Sequence, residues 1–195
     1  DDIALNQPTL PTHYEAVRTK ILFAPNDETR WVLTLEYLDI NDPGGLGEVT
    51  LNPIAQFYND SFAVPIVATL EPYKTSFNTQ PMANPVTKSV MLAGDMQLGA
   101  LDFRSYTQYR DQEAEIRADL DGTTIQYWQV EYDENEETFT QEFSIGQSGE
   151  GRADWIAGLY YYYDKGFLRN NAYNDFFNTG TRTSWLSSDA TVTTT

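Results

Sequence analysis

Apolar and polar side chains alternate along several segments of this chain, and this period of two constrains the fold more than any other feature. Between Glu137 and Gly146, Phe139, Phe143 and Ile145 occupy odd positions, while the even positions carry Thr, Glu and Ser. Successive side chains of a strand point to opposite faces, so this alternation predicts strands with one apolar face. Helical periodicity is almost absent. The sequence therefore predicts an all-β fold.

The alternating segments come in pairs, each joined by a short turn and followed by a long connection. We predict hairpins at about 13–40, 88–109 and 137–164, and long connections at about 41–87, 110–136 and 165–190. Six of the nine prolines lie in 41–87, which argues against a continuous strand there. The closing stretch Thr191 to Thr195 predicts a seventh strand. The pattern thus predicts an antiparallel up-and-down meander of about six to seven strands, forming one unit over residues 1–195.

Composition excludes several classes of function. Acidic side chains number 29 against 12 basic ones, for a net charge of −17, which argues against binding nucleic acid or an anionic lipid surface. The chain has no cysteine and one histidine, which argues against thiolate zinc sites and a Ser-His-Asp triad. We therefore expect no enzyme, no cofactor and no metal site.

Strand length and turn length favour a membrane barrel. The predicted strands are near the length that a tilted strand needs to cross a bilayer. Short turns on one side, long loops on the other and aromatic girdles are typical of outer-membrane barrels. Trp31, Tyr37, Trp155 and Tyr163 lie near predicted strand ends and suit such girdles. Soluble sandwiches alternate too, so a secreted β-sandwich that binds glycans through exposed aromatic side chains is the alternative.

The third hairpin resembles one hairpin of the barrel of TonB-dependent receptors. It reads Glu137-Thr-Phe-Thr-Gln-Glu-Phe-Ser-Ile145, a Gly-rich turn, and Asp154-Trp-Ile-Ala-Gly-Leu-Tyr-Tyr-Tyr162. The family reads Phe-x-Gln-Glu-apolar-x-apolar, a turn, and Trp-x-x-Gly-apolar-Tyr/Phe-Tyr. Residues 19–37 resemble another hairpin of the family, in which Pro, Asn and Asp form the periplasmic turn. The resemblance covers most of residues 13–195.

This resemblance implies an outer-membrane barrel of a Gram-negative bacterium, with short periplasmic turns and long extracellular loops. Such receptors have an N-terminal plug and a TonB box, and they import iron chelates (siderophores), cobalamin or glycans. We expect the chain to be an internal fragment that lacks the plug and the TonB box. The expected partners are outer-membrane lipid, lipopolysaccharide, a small-molecule nutrient and, through the missing N-terminal region, the TonB complex.

Two sets of residues are candidates for function. We expect the lumen-facing polar set to comprise Arg18, Lys20, Glu36, Asp95, Arg104, Glu142 and Asp154. Aromatic side chains stack on sugars and flat chelates. We therefore expect aromatic residues of the predicted extracellular loops to contact the ligand, namely Tyr127, Trp128, Tyr132, Tyr173 and Trp185. The acid run 131–137 and the stretch 119–122 could bind a cation, but we favour a solvated loop face and a plain turn.

Overall fold

The structure is a computed structural model that describes residues 6, 12–42, 60, 74–124, 128–147, 153–174 and 183–194. Of residues 174 and 183–189 only the backbone is described. Within these residues the strands are β1 (His13–Asn26), β2 (Thr29–Asn41), β3 (Met82–Leu98), β4 (Leu101–Asp119), β5 (Gln129–Gln147), β6 (Trp155–Asn174) and β7 (Thr183–Thr194).

The seven strands form one antiparallel sheet in the order β1-β2-β3-β4-β5-β6-β7. Each strand pairs with the strand that follows it in the chain, which confirms the predicted all-β meander. A sandwich needs two packed sheets, and the described strands form a single one. Among the described residues, no helix is long and apolar enough to cross a lipid bilayer.

The strands extend well beyond the predicted hairpins. β4 and β5 stay paired from Arg110↔Thr138 to Asp119↔Gln129, so the long connection predicted at 110–136 is wrong in its extent. The connections predicted at 41–87 and 165–190 likewise include the start of β3, the end of β6 and most of β7. The alternation of side chains between the two faces continues in these stretches. Charged residues, however, occupy the face of the sheet that is apolar within the predicted hairpins.

The pairing register sorts the side chains into two faces, because directly opposed residues of an antiparallel pair share a face. We call one of them the apolar face. One row across it reads Thr19, Leu35, Val90, Tyr109, Phe139 and Tyr163. Leu159 on this face is 77% exposed, so the described chain leaves it uncovered. The opposite face, which carries most of the charged side chains in this part of the sheet, we call the polar face.

Polar side chains in the middle of the apolar face bond to one another. Thr107 donates a hydrogen bond to Oε1 of Gln141 at 2.7 Å. The amide of Gln141 in turn donates to the carbonyl oxygen of Tyr106 at 3.0 Å and lies 3.5 Å from Oγ of Ser105. Their hydrogen bonding is therefore met within the sheet, which lowers the cost of placing this face against an apolar medium.

Pro85 lies inside β3 and coincides with a gap in the β2–β3 ladder. The two strands pair continuously from Thr29↔Met96 to Asp39↔Val86. Beyond Pro85, the described residues of this region pair at an isolated bridge between Asp42 and Ala83. Proline has no N–H to donate, which accounts for this interruption.

Gly94 accommodates the ring of Trp31 on the apolar face. The two residues are direct cross-strand partners, and a Cβ added at Gly94 would overlap the indole ring. The missing side chain therefore leaves room for the Trp31 ring over β3.

We predict that Gly94→Ala destabilises the folded protein by about 1–3 kcal/mol, because the Trp31 ring must leave its position. Gly166→Ala is the matched control, since a Cβ there meets nothing within 4 Å, and we expect a change below about 1 kcal/mol. Urea unfolding of the detergent-folded protein, followed by tryptophan fluorescence, measures both. Equal midpoints for the two variants would contradict this packing.

Candidate functional site

The structure places the predicted polar set on one face of the sheet. Arg18 and Glu36 are cross-strand partners and form an ion pair of 2.6 Å. Arg104 and Asp95 are also partners, with Nε and Oδ1 3.5 Å apart. Lys20 is opposite Thr34 on the same face.

The third hairpin contributes the remaining two members of this set. Glu142 has Tyr106 and Tyr160 as its cross-strand partners on the polar face. Asp154 immediately precedes β6, and it is in phase with Ile156 and Gly158, the even positions of that strand. The sheet therefore brings together on one face the charges that the sequence alternation had grouped.

Arg110 and Glu136 extend this polar surface and were missed in the sequence, because both lie in the stretch read as a loop. Their Nη2 and Oε2 atoms are 2.8 Å apart. On the same face the Tyr106 hydroxyl donates to Gln108 at 2.8 Å. The even spacing of residues 106, 108 and 110 is the sequence signal that could have placed Arg110 on the polar face.

Two adjoining cavities lie on the polar face near the short turns. One measures about 350 Å³ and the other about 340 Å³, and Asp102 and Arg104 line both. Asp154 also lines the first cavity, and Glu28 and Arg30 line the second. The short-turn end of the polar face is thus grooved and rich in carboxylates.

Charge distribution reverses toward the other end of the strands. Immediately beyond Tyr109, the apolar face carries a row of four charged residues, which are Lys88, Asp111, Glu137 and Lys165. On the polar face at that end, Ala118, Val130 and Ala172 form a buried cluster. The sheet therefore presents an apolar band on one face that ends abruptly in charge.

Arginines neutralise several members of the acid run 131–137. Arg117 lies 3.3 Å from Glu115 and 3.4 Å from Glu131, and Arg169 lies 3.7 Å from Asp133. No group of three or more potential metal ligands occurs among the residues that the structure describes. The run is a salt-bridged part of β5 rather than the loop that the sequence predicted.

Most of the predicted ligand-binding aromatics lie in strands rather than in loops. Tyr132 is in β5 and Tyr173 in β6, which corrects their placement in loops. Trp185 is in β7, where the register shifts between Ala172↔Leu186 and Tyr173↔Ser184, so Trp185 is the extra residue of a bulge. Tyr127 lies outside the described residues.

Trp128 immediately precedes β5, and Tyr132 lies four residues further along, on the polar face. The carbonyl oxygen of Trp128 accepts the Leu120 N–H at 3.0 Å, and Trp128 remains 43% exposed. Tyr132 packs against the buried cluster of Ala118, Val130 and Ala172. Tyr173, as the partner of Gln129, belongs to the opposite face. Four residues of extended chain span about 13 Å, so among the described aromatics the structure does not bring Trp128 and Tyr132 into contact.

A turn at 119–122 fixes the backbone beside Trp128. Asp119 accepts the N–H groups of Gly122 at 2.8 Å and Asn78 at 3.0 Å. Asp121 accepts the Trp128 N–H at 2.6 Å and bonds the hydroxyl and N–H of Thr123. The carboxylates cap backbone donors, as expected of the plain turn.

Burial, and to a lesser degree the charge of Asp121, raises the pKa of Asp119 from 3.8 to about 7. The folded state therefore binds this proton more tightly than the unfolded chain does. The resulting stabilisation is complete below about pH 3.8 and is lost as the pH rises through about 7.

We predict that lowering the pH from 8 to 5 slows amide exchange at Asn78 and Gly122, after correction for the intrinsic rate. Protonation removes the buried charge of Asp119 and so stabilises the turn. Hydrogen exchange read by mass spectrometry measures this effect. Asp119→Asn cannot titrate, so it should show little pH dependence; a dependence equal to that of the wild type would refute the assignment.

No protein-family model and no curated protein matches the chain. The structure is similar to the crystal structure of the ferric yersiniabactin uptake receptor of Yersinia pestis, with a TM-score of 0.67 and 16% identity. The match covers 98% of this chain and 27% of the receptor, so the chain spans about a quarter of its length. Nothing in this match favours the sandwich alternative. The fold predicted from the sequence is confirmed: the chain is an all-β antiparallel meander with the fold of part of the β-barrel of this uptake receptor.

Proposed function

We propose that the chain is a segment of the barrel of a TonB-dependent outer-membrane receptor, which imports a scarce nutrient across the outer membrane of a Gram-negative bacterium. The observation that carries this proposal is the apolar band that ends in a row of charges. The structural neighbour is a receptor for ferric yersiniabactin uptake, which favours a ferric chelate over cobalamin or a glycan. In this function the chain is a transporter and not an enzyme.

The apolar band has the height of a bilayer crossing. On β4 the uncharged positions of the apolar face run from Leu101 to Tyr109, and the charge begins at Asp111. A tilted strand crosses the hydrocarbon core in about 9 to 11 residues, which matches this segment. β4 has 19 residues, so its second half extends beyond the membrane into water.

Aromatic side chains border both edges of the band. Trp31 and Trp155 lie near the short turns, and Tyr37, Tyr109 and Tyr163 lie near the row of charges. Aromatic girdles at both interfaces are typical of outer-membrane barrels. The short turns then face the periplasm, and the long strand ends face the exterior, where lipopolysaccharide surrounds the receptor.

The polar face lines the lumen in this proposal. Arg18, Glu36, Asp95, Arg104 and Glu142 then form a wall of charges against the plug of the whole receptor. The carboxylate-rich grooves near the short turns suit cationic side chains of that plug. TonB acts through the N-terminal region of the whole receptor.

The ligand contacts are proposed at the external end of the lumen wall. Trp128 and Leu120 are 43% and 41% exposed there, and Tyr132 lies four residues further along β5. An exposed indole offers a flat apolar surface to a planar chelate. Tyr173, on the opposite face, is not in a position to join them.

We predict that single cysteines at 142 and 154 react with a membrane-impermeant maleimide in receptors with the plug removed, because both positions line the lumen. Cysteines at 143 and 155 should be protected, because those positions face lipid. The chain contains no cysteine, so each substitution gives a single thiol in this segment. Protection of Glu142→Cys together with labelling of Phe143→Cys would contradict the orientation.

We predict that Trp128→Ala weakens the binding of a ferric chelate to the whole receptor about tenfold, because a stacking surface is lost. Cell-surface binding of a radiolabelled chelate, chosen by screening ferric siderophores for growth support, measures this. Phe167→Ala is the control, since Phe167 lies beyond the charged row on the opposite face. An equal loss in both variants would refute a specific role for Trp128.

A further inference from the structure

Basic and acidic side chains separate between the two faces of the sheet toward the outer strand ends. Beyond the level of Arg110, the Lys and Arg side chains of the described strands all lie on the same face as Tyr109, and they are Lys88, Arg117, Lys165 and Arg169. At that height the polar face carries Glu134 and Glu136, with no basic side chain in the described strands. This part of the polar face is therefore anionic.

Glu134 is an exposed carboxylate on this part of the polar face. No basic side chain of the described residues pairs with it, whereas Glu136 is held by Arg110 at 2.8 Å. Its cross-strand partners are Ala114 on one side and Leu168, which is 39% exposed, on the other. The negative charge of Glu134 therefore stands on an apolar surface.

A carboxylate on an apolar surface is complementary to an alkylammonium group. The ammonium binds the carboxylate, and its methylene stem covers the neighbouring apolar side chains, as the stem of a lysine does. An anion at the same place would meet the charges of Glu134 and Glu136 without a free cation to offset them. A wall of one sign of charge also raises the local concentration of a ligand of the opposite sign.

Ferric chelates differ in charge, so this wall discriminates among them. Catecholates carry more negative charge than the ferric ion neutralises, so a ferric tricatecholate is an anion. Hydroxamates balance the charge of the ion, so a ferric trihydroxamate is neutral. A free amine on the chain of the trihydroxamate is protonated at neutral pH, and the whole complex is then a cation.

We propose that the polar face around Glu134 selects a ferric trihydroxamate with a free ammonium group, which places the ammonium on Glu134 and its methylene stem on Leu168. The inference rests on the proposed receptor function and names the substrate class within it. Glu134 lies six residues of extended chain, about 20 Å, from Trp128. The two residues are therefore separate contacts on the lumen wall.

Calorimetric titration of the purified whole receptor with three chelates tests this selection. The chelates are a ferric trihydroxamate with a free terminal amine, its N-acetylated form and a ferric tricatecholate. We expect the amine form to bind about fivefold more tightly than the acetylated form, as for a partly exposed ion pair. The tricatecholate should bind more weakly than both.

Two matched variants locate the preference. Glu134→Gln should bind the amine form and the acetylated form equally, because the carboxylate is lost. Glu113→Gln is the control, since Glu113 is an exposed carboxylate next to Ala114 on the opposite face, and it should keep the preference of the wild type.

The outcomes separate the selection from the receptor function. Equal binding of the two trihydroxamates by the wild type, tighter binding of the tricatecholate, or a preference kept in Glu134→Gln would overturn the inference while leaving a chelate receptor. Absence of binding by all three chelates would overturn the ferric-chelate function and the inference together. A preference lost in Glu134→Gln alone supports the proposal.

Discussion

The backbone pairing register is the constraint on which the rest of the structure depends. A shift of one residue between neighbouring strands would move every side chain to the other face. The β3–β4 pair keeps one register from Met82↔Arg117 to Leu98↔Leu101, and the pairs β4–β5 and β5–β6 are equally continuous. This ladder fixes which side chains share a face. Because a bilayer offers no water to unpaired backbone groups, the ladder also supplies the backbone hydrogen bonds that the proposed membrane position requires.

The polarity of each face changes along the strands, so the two ends of the sheet differ. The same face carries Val90 and Tyr109 below the charged row and Glu113 and Glu115 above it. On the other face, ion pairs such as Arg18–Glu36 give way to the buried cluster around Val130. The charges of the apolar face begin at Asp111, and the buried cluster of the polar face lies at Ala118, seven residues further along β4. A charged row at the edge of an apolar band fits the proposed barrel.

The sequence was sufficient for the hairpins but not for the full strands. The alternation in 137–146 and 155–163 predicts both the pairing and the common face of Glu142 and Asp154. The period of two in side-chain polarity shows which residues share a face, and the register of the paired strands must keep those residues on that face. The outer halves of β4 and β5 were read as a loop, since their outward positions are charged and resemble a solvated connection. The bulge at Trp185 arises in the pairing of β7 with β6, which no local pattern in the chain specifies.

The most direct test of this account is the size and location of the native protein. An antibody raised to this chain should detect, after cell fractionation, a band several-fold larger than 22.2 kDa in the outer membrane. That result would place the chain within a larger protein of the outer membrane. A band near 22 kDa in the soluble fraction would contradict the account.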